Sequence, residues 1–345
     1  MTVSYLRLNM HYDFLIIGQG LAGTLLSYEL IKAGKSVHVI HDPLPLKASM
    51  AAGGLINPFS SRDWTRMKSQ ETYLPVALNT YRQAEQLLGV SLLQQSSMLV
   101  LHEQEEKRQL FEEKKTIFPD QLQQVTEADQ QKWLNMFHIP HDMGKVQPLY
   151  IADAATLLQQ WRNYLQQREC FTAAVFGFDS LEIHADHIRW QQISAGQIIF
   201  CEGSTARVNP LFPGLPFTRN RGEALLISIP DLPLAHIYHH NLRLVPRSDG
   251  LFWCGSNYKW VYTDLEPDQE WRAATSRRLQ QWLKCPFHIA DHLVAERPTT
   301  AGQNVLTLKH PKYSRVSLFN GLGTRGFSSG PYYASLFART LCSRN

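Results

Sequence analysis

The stretch YDFLIIGQGLAGTLLSYELIKAGKSVHVIHD, residues 12–42, decides the fold of this 345-residue chain. Residues 12–17 form a short apolar run that ends at a glycine, which is typical of a buried parallel strand. Residues 24–33 have the apolar spacing of a helix, and Gly34 follows as a residue type that often ends helices. Residues 35–40 predict a second strand, so the stretch predicts a strand–turn–helix–strand unit.

The turn of this unit carries the glycine motif of dinucleotide-binding proteins, Gly18-x-Gly20-x-x-Gly23. The first glycine permits a tight turn, the second lets the backbone approach a pyrophosphate, and the third allows close helix–strand packing. The unpaired N–H groups and the positive dipole end of the helix favour a phosphate. Leu21 and Ala22 complete the predicted phosphate-binding turn. The unit alone does not distinguish FAD from NAD.

One position departs from the usual motif. At the end of the second strand an acidic residue normally hydrogen-bonds the ribose 2′-OH. Here His41 holds that position and Asp42 follows it. Both side chains can hydrogen-bond a ribose hydroxyl, and the sequence does not choose between them.

Composition argues against several classes of protein. Hydrophobic residues make up 44% and charged residues 19%, as in ordinary soluble globular proteins, and the net charge of +4 is too small to require a nucleic-acid partner. No apolar run is long enough to span a bilayer, and residues 1–10 lack the apolar core of a signal peptide. The five scattered cysteines predict no disulfide framework, and the histidines show no metal-ligand spacing, so we expect no metal site and a cytoplasmic location.

Residues 48–58, ASMAAGGLINP, form a loop rich in glycine and alanine after the second strand. Together with six later segments, this loop resembles the D-amino acid oxidase-like (DAO) family of flavoproteins, which includes glycine oxidase and sarcosine oxidase. In that family a serine of this loop lies near the FAD phosphates, and the glycines pass the flavin ring, where small residues allow close approach. The resemblance therefore assigns Ser49, Gly53, Gly54 and Leu55 to cofactor binding.

The six later segments follow one another in the family's order. They are residues 175–178 (VFGF), 198–204 (IIFCEGS), 221–223 (RGE), 246–256 (PRSDGLFWCGS), 296–299 (ERPT) and 320–331 (NGLGTRGFSSGP).

The resemblance gives three of these segments a role in cofactor binding. It implies that the backbone of Val175 contacts adenine and that Gly203 lies beside the flavin. The last segment most resembles one branch, the FAD oxidase domain of the bifunctional enzyme that completes 5-methylaminomethyl-uridine in tRNA. The residues of this segment that are implied to face the flavin pyrimidine are Gly323, Thr324, Arg325, Gly326 and Phe327.

The resemblance also predicts the architecture, which is α/β, with a Rossmann-type FAD-binding domain and an inserted antiparallel-sheet substrate domain. Residues 215–265 alternate short apolar runs with proline and glycine turns, as expected of an antiparallel sheet. Sequence patterns also predict helices over about residues 70–88, 154–167 and 331–342 and a β-type segment over residues 171–178. We expect a discontinuous FAD-binding domain, residues 10–90, 143–214 and 290–345. The substrate-binding domain then takes residues 91–142 and 215–289.

The chemistry that the resemblance implies is hydride transfer from a carbon next to nitrogen to flavin N5, followed by imine hydrolysis and reoxidation by dioxygen. FAD is expected to be non-covalent, because no cysteine lies in a recognisable attachment motif. Arg297 is expected to bind a substrate carboxylate, and Arg325 to stabilise charge on the reduced flavin. Tyr258 and Tyr262 are expected to orient the amine. The alternatives are a structural ion pair for Arg297, a surface position for Arg325 and packing roles for both tyrosines.

The predicted function is oxidation of the C–N bond of a small amine or amino acid. Three alternatives stay open: oxidation of a carboxymethylaminomethyl group on tRNA wobble uridine, a non-catalytic FAD-binding protein, and an NAD(P)-dependent dehydrogenase. The sequence leaves the oligomeric state open. The arginines that could contact tRNA phosphates, or belong to an ordinary solvated surface, are Arg219, Arg221, Arg243, Arg247, Arg277 and Arg278.

Overall fold

The structure is a computed structural model that describes residues 11–43, 48–67, 69–139 and 141–343. Met10, where the predicted FAD-binding segments begin, and their last two residues lie outside the described part. The helices are α1 (Leu21–Lys32), α2 (Gln70–Leu88), α3 (Glu105–Ile117), α4 (Glu127–Trp133), α5 (Ala154–Gln167), α6 (Gln269–Trp282) and α7 (Gly326–Cys342).

The strands form three sheets. They are β1 (His11–Ile17), β2 (Val37–His41), β3 (Leu55–Ile56), β4 (Leu93–Leu101), β5 (Leu122–Gln124), β6 (Met143–Ala152), β7 (Phe171–Ala173), β8 (Leu181–Ile183), β9 (Ile188–Trp190), β10 (Ile193–Phe200), β11 (Phe217–Thr218), β12 (Arg221–Ser228), β13 (His236–His240), β14 (Leu242–Pro246), β15 (Phe252–Gly255), β16 (His288–Glu296), β17 (Thr299–Thr300), β18 (Leu306–Lys309) and β19 (Val316–Asn320).

The chain folds into two compact units. Within the described residues, the first unit contains the chain up to Met50, Ala155–Arg219 and the chain from Arg297 onward, and the second contains Ala51–Ala154 and Asn220–Glu296. The predicted domains divide the chain elsewhere, because β3 and β6 pair in the sheet of the second unit. Which unit binds FAD and which binds substrate stays a prediction.

The first unit is built on a mainly parallel sheet in the order β18-β19-β10-β1-β2-β7, where only β18 runs antiparallel to its neighbour. The hairpin of β8 and β9 extends β10, and β11 pairs with β17 in a separate small sheet. Leu15 and Ile16 of β1 are completely buried, as the apolar run predicts. The strand–turn–helix–strand unit predicted at residues 12–42 is confirmed.

Three element bounds differ from the sequence prediction. The first helix begins at Leu21, inside the glycine motif. The last helix begins at Gly326, whereas the sequence placed its start at Pro331, a residue type favoured in a first turn. A short 3-10 turn, Gly323–Arg325, leads directly into α7, so Pro331 lies inside the helix. Strand β7 ends at Ala173, so Val175 lies in the following loop.

The second unit is built on a sheet in the order β16-β12-β15-β14-β13-β4-β6-β3, with β5 also on β6. Its pairs are antiparallel except for β13 with β4, and the antiparallel sheet predicted for residues 215–265 is confirmed. Side chains alternate between two apolar clusters. Leu244 packs in the cluster that contains Trp282 of α6, and Val245 packs in the cluster that contains Trp64 and Phe111. The mixed α/β fold class is therefore the one predicted.

A buried ionic network holds the segment that follows β15. The carboxylate of Glu223 on β12 is completely buried; its Oε1 accepts from Asn257 Nδ2 at 3.1 Å, and its Oε2 accepts from His292 Nε2 at 2.9 Å. The same Oε2 accepts from the backbone N–H of Asp268 at 3.0 Å. Arg221 Nη2 lies 3.4 Å from Oε1. The network therefore joins β12, β16 and the chain between β15 and α6.

Replacing Glu223 with glutamine removes a buried charge on which this network depends. Because Arg221 then keeps its charge without this counter-charge, we expect Glu223→Gln to lower the free energy of unfolding by about 3–5 kcal/mol. Urea denaturation at neutral pH measures the loss. The matched control is Glu182→Gln, whose exposed carboxylate pairs with Arg189 and should matter little. Equal effects of the two substitutions would contradict the role given to the network.

Candidate functional site

The glycine turn of the first unit fits a pyrophosphate. Gly18 adopts φ +101°, and a Cβ there would lie 2.5 Å from the carbonyl oxygen of Cys201. A Cβ on Gly23 would lie 1.8 Å from the carbonyl oxygen of Gly18, so α1 packs directly on the turn. A Cβ on Gly20, by contrast, would meet only Ser49 Oγ at 3.4 Å. The turn is therefore closed toward the protein and open at Gly20, where a ligand backbone can approach.

The N-terminus of α1 faces this open side without an acidic neighbour in its own first turn, since residues 21–24 are uncharged. Gly20 caps the helix and has no side chain to accept from the first N–H groups. Ser49 Oγ accepts from the N–H of Leu21 at 2.9 Å, which places the predicted phosphate-loop serine at the helix end. The remaining N–H groups and the helix dipole suit an anion.

His41 takes a structural role that the sequence did not predict. Its ring is buried at the end of β2, and Nδ1 accepts from the backbone N–H of Gln19 at 3.1 Å. Because Nδ1 is the acceptor, the neutral ring carries its proton on Nε2. Asp42 is partly buried beside it. The structure thus places both ribose candidates next to the glycine turn, and the choice between them stays a prediction.

The sequence did not predict a role for two polar residues at this turn, Gln19 and Arg162. The Gln19 side chain is buried; its Nε2 donates to the carbonyl of Leu158 at 2.8 Å and its Oε1 accepts from Arg162 Nε at 2.8 Å. Burial lowers the pKa of the Arg162 guanidinium. Gln19 is a variable position of the motif and Arg162 lies on an amphipathic helix, so no sequence signal marks this contact.

The glycine turns that follow β10 and β19 are joined. These strands are parallel neighbours, so their carboxyl ends lie at one edge of the sheet. Asn320 is buried and its Nδ2 donates to the carbonyl of Gly203 at 3.0 Å. A Cβ on Gly203 or on Gly323 would meet no atom within 4 Å. Both predicted flavin-side glycines therefore border open space.

A titratable carboxyl lies beside the first of these turns. Burial raises the pKa of Glu202 to about 7, and a hydrogen bond from Asn209 Nδ2 to Oε2, at 2.7 Å, opposes the rise. The residue directly precedes Gly203. A carboxyl of this kind can exchange a proton near neutral pH.

The segment that carries Arg297 lies against the turn that carries Arg325. The N–H of Gly323 donates to the carbonyl of Pro298 at 3.1 Å. Arg297 is partly buried, whereas Arg325 and Thr324 are exposed. The two arginines predicted to act in the reaction therefore belong to adjoining segments of the first unit.

The start of α7 has a packing role as well. A Cβ on Gly326 would lie 3.0 Å from Leu21 Cδ2, so this glycine lets α7 approach α1. Phe327 is buried, and the carbonyl of Arg325 accepts from the hydroxyls of Ser328 and Ser329 at 3.0 and 3.1 Å. Contact of Gly326 and Phe327 with a cofactor stays a prediction.

In the second unit, the packing of the protein itself requires the two glycines that were predicted to pass the flavin. A Cβ on Gly53 would lie 2.8 Å from the indole ring of Trp253, whose Nε1 donates to the carbonyl of Ala51 at 2.9 Å. A Cβ on Gly54 would lie 1.9 Å from the carbonyl oxygen of Ala152. Leu55 begins β3. These contacts explain the small residues without a cofactor, and the flavin contact stays a prediction.

The two predicted amine-orienting tyrosines lie on the segment held by the Glu223 network. Tyr258 is 55% exposed, whereas Tyr262 is buried. Tyr258 is close enough to Arg243 to raise the pKa of that guanidinium, against the stronger opposing effect of burial. The structure thus places beside Tyr258 an arginine for which the sequence predicted only a phosphate contact or a surface position.

The remaining predicted residues are less informative. Val175 is 72% exposed, which leaves its backbone contact with adenine a prediction. Arg221 is buried in the Glu223 network, so the expectation that it contacts a tRNA phosphate is wrong, and Arg247 pairs with Asp249 at 2.7 Å.

In the described parts of the chain, no group of three or more His, Cys, Asp or Glu is arranged to hold a metal ion. Over the same residues, no helix is long and apolar enough to cross a membrane.

The fold matches several solved flavoenzyme structures. Glycine oxidase from Bacillus cereus ATCC 14579 aligns with a TM-score of 0.78 and 12% identity over 97% of this chain and 96% of that one. Iminodiacetate oxidase from Chelativorans sp. BNC1 aligns with a TM-score of 0.76 and 15% identity over 96% of each chain. L-α-glycerophosphate oxidase from Mycoplasma pneumoniae, solved with FAD bound, aligns with a TM-score of 0.72 and 13% identity over 97% of this chain and 96% of that one.

At these identities the structural matches establish only the fold. The family is established by a separate match to a family model. Residues 13–340 match the family described as DAO, FAD dependent oxidoreductase. The closer resemblance to the oxidase domain of the tRNA-modifying enzyme stays a prediction. Because the family match spans nearly the whole chain, and the glycine turn fits a dinucleotide, this chain belongs to the DAO family of FAD-dependent oxidoreductases.

Proposed function

We propose that this FAD-dependent oxidoreductase oxidises the C–N bond of a small amine or amino acid that carries a carboxylate. The observation that carries the proposal is the contact between the Arg297 segment and the glycine turn of Gly323, through the 3.1 Å hydrogen bond to Pro298. A guanidinium next to a turn assigned to the flavin is well placed to hold an acidic substrate.

The names of the structural matches support an acidic substrate, which is an amine in two cases and an alcohol in a third. Glycine oxidase and iminodiacetate oxidase are named for amines that carry carboxylates, whereas glycerophosphate oxidase is named for an alcohol that carries a phosphate. The ordered segments that resemble glycine and sarcosine oxidases favour the amine. The alcohol is therefore the rival that an experiment has to exclude.

We assign cofactor binding to the open side of the first unit. The pyrophosphate is held by the N–H groups of residues 20–23 at the positive end of α1, with Ser49 beside it and His41 or Asp42 at the ribose. The flavin end is assigned to the turns of Gly203 and of Gly323–Arg325. Bound FAD supplies the acceptor for the hydride that leaves the substrate carbon.

In the reaction, the protein positions the substrate and stabilises the charge that develops. Arg297 holds the substrate carboxylate, and Tyr258 and Tyr262 orient the amine. The positive end of α7 and the guanidinium of Arg325 stabilise negative charge that develops on the cofactor. Dioxygen is proposed as the final electron acceptor.

Alanine at Gly20 tests the assignment of the glycine turn. Its backbone, φ −78° and ψ −165°, is open to alanine, so the fold should be kept. The new methyl group occupies the open side, and we expect FAD affinity to fall about tenfold or more. Quenching of flavin fluorescence on titration into apo-protein measures this.

The control for this experiment is Gly89→Ala at the end of α2. Gly89 has φ +68°, so alanine should cost stability there, but no atom lies within 4 Å of its Cβ position. FAD binding should be unchanged. If Gly20→Ala binds FAD as tightly as wild type, the pyrophosphate does not lie against this turn.

A substrate panel tests the reacting bond. The purified protein should be yellow, and its flavin absorbance should bleach anaerobically with glycine, sarcosine or iminodiacetate and return when dioxygen is admitted. Glycerol 3-phosphate should leave the colour unchanged. Bleaching by glycerol 3-phosphate alone would overturn C–N oxidation, and so would an absence of bleaching by every amine.

Substitution of Arg297 tests carboxylate binding. For Arg297→Met we expect kcat/KM with the best carboxylate-bearing amine to fall about a hundredfold, mainly through KM, because a bidentate charged contact is lost. The corresponding primary amide of that substrate should be affected much less. Arg339→Met on the exposed end of α7 is the control. Equal losses for the acid and the amide would mean that Arg297 has only a structural role.

A further inference from the structure

Glu202 brings a carboxyl group to the edge of the glycine turn of residues 18–23. Strands β1 and β10 are parallel neighbours, so the residues that follow β10 lie beside the turn that follows β1. The N–H of Cys201 donates to the carbonyl of Ile17 at 2.7 Å, and a Cβ on Gly18 would lie 3.4 Å from the Cα of Glu202. The backbone of Glu202 therefore packs against the first glycine of the turn.

A carboxyl group is an unexpected neighbour for a turn that fits a pyrophosphate. The first turn of α1 contains no acidic residue, so Glu202 is contributed by a different strand. Its side chain is partly buried, and within the described residues no cation forms an ion pair with it. In its ionised form this carboxylate would repel a bound phosphate, whereas in its neutral form it offers an O–H donor.

Asn209 determines which oxygen of Glu202 carries the proton. The Asn209 side chain is buried, and its Oδ1 accepts from the N–H of Leu211 at 2.9 Å. Its Nδ2 therefore faces Glu202 and donates to Oε2 at 2.7 Å. Because Oε2 is the acceptor, the proton of the neutral carboxyl lies on Oε1, which has no hydrogen-bond partner in the part of the chain that the structure describes.

The immediate surroundings of Glu202 favour the neutral form. Burial raises its pKa to about 7, and the hydrogen bond from Asn209 opposes the rise only in part. The neighbouring thiol of Cys201 is buried, and burial raises its pKa well above the ordinary value, so that group is uncharged as well. A large share of Glu202 is therefore neutral at physiological pH.

The charged and titratable groups of the adjoining elements lie further along. On the side of β19, Asn320 contributes only an amide. Arg207 is exposed on the short 3-10 helix Gly203–Val208. His41 and Asp42 lie where β2 ends, and the His41 ring accepts from a backbone N–H of the glycine turn. His41 is therefore the second group whose titration could affect a ligand at this turn.

We propose that Glu202, protonated on Oε1, donates a hydrogen bond to an oxygen of the FAD pyrophosphate. The proposal rests on the placement of the pyrophosphate in the proposed function and is independent of the substrate. A bound pyrophosphate favours the neutral carboxyl further, so FAD binding above about pH 7 takes up a proton. Cofactor affinity therefore falls as the pH rises.

The pH dependence of FAD affinity tests the proposal. When FAD is titrated into full-length apo-protein at constant ionic strength, wild-type affinity should fall about tenfold or more between about pH 6 and about pH 8.5. Glu202→Gln should bind at both pH values as tightly as wild type does at the lower one. Its amide keeps an acceptor for Asn209 and a donor for the phosphate. The matched control is Glu182→Gln, whose exposed carboxylate pairs with Arg189, and its curve should follow wild type.

The comparison of wild type with Glu202→Gln decides, because His41 lies at the same turn. An equal fall in both proteins, or a flat curve in wild type, overturns the role of Glu202. Glu202→Ala separates donation from repulsion and replaces the glutamine variant if that is insoluble. Its affinity should not change with pH and should be about tenfold below that of wild type at about pH 6, because the donor is lost. Affinity equal to wild type at that pH overturns the hydrogen bond.

Proton uptake and ADP binding identify the group that Glu202 contacts. Calorimetric titration with FAD at about pH 8, in two buffers of different ionisation enthalpy, should show a proton uptake in wild type that Glu202→Gln loses. ADP carries a pyrophosphate without the flavin, so its affinity should show the same pH dependence and the same response to Glu202→Gln. A pH dependence that is present for FAD and absent for ADP would place the contact at the flavin and overturn the proposal.

The Gly20→Ala variant separates this proposal from the proposed function. If Gly20→Ala weakens FAD binding while Glu202→Gln keeps the wild-type pH dependence, the pyrophosphate placement stands and only the role of Glu202 fails. If Gly20→Ala binds FAD as tightly as wild type, the placement fails and the hydrogen bond from Glu202 fails with it. Oxidation of an amine, measured by bleaching of the flavin, is a separate result in both cases.

Discussion

The first unit depends on one close contact, the approach of α1 to the turn that precedes it. The carbonyl oxygen of Gly18 occupies the place where any side chain on Gly23 would begin, 1.8 Å from the Cβ position. That approach aims the positive end of α1 at the open side of Gly20, and the N–H of Leu21 is already held by Ser49. Two further glycines also allow close packing of a helix, because Gly326 and Gly330 let α7 pack on Leu21 and Leu25 of α1.

The second unit depends on how buried charge is compensated. Glu223 accepts from a histidine, an amide and a backbone N–H and lies beside Arg221, so its charge is shared by partners from β12, β16 and the chain before α6. This network orders the segment that carries Tyr258 and Tyr262. Arg243, on the other face of a neighbouring part of the sheet, has a hydroxyl where Arg221 has carboxylates. The two arginines therefore differ in the partners that the chain supplies.

Local signals predicted the elements well where one physical cause acts alone. The α2 and α5 helices begin and end where their apolar spacing indicates, at Gln70–Leu88 and Ala154–Gln167. The predicted start of the last helix at Pro331 was wrong, because the turn of Gly323–Arg325 leads directly into a helix that already begins at Gly326. The contacts of Gln19, Arg162 and Arg243 were not predicted, because each joins residues far apart in sequence or depends on which face of a strand is buried. The small residues Gly53 and Gly54 show the opposite problem, since their packing against Trp253 and Ala152 gives the same sequence signal as a flavin contact would.

His41 departs from the motif at the position where an acidic residue is usual, and the structure shows a different contact for its ring. An acid at this position accepts a hydrogen bond from a ribose hydroxyl. In this chain Nδ1 of His41 already accepts from Gln19, so the turn itself fixes the tautomer with the proton on Nε2. A ribose hydroxyl both donates and accepts, so it can accept from Nε2–H in place of donating to a carboxylate. If the ribose lies against His41, the hydrogen bond would therefore run in the opposite direction; what the structure shows is that the same ring supports the glycine turn through Gln19.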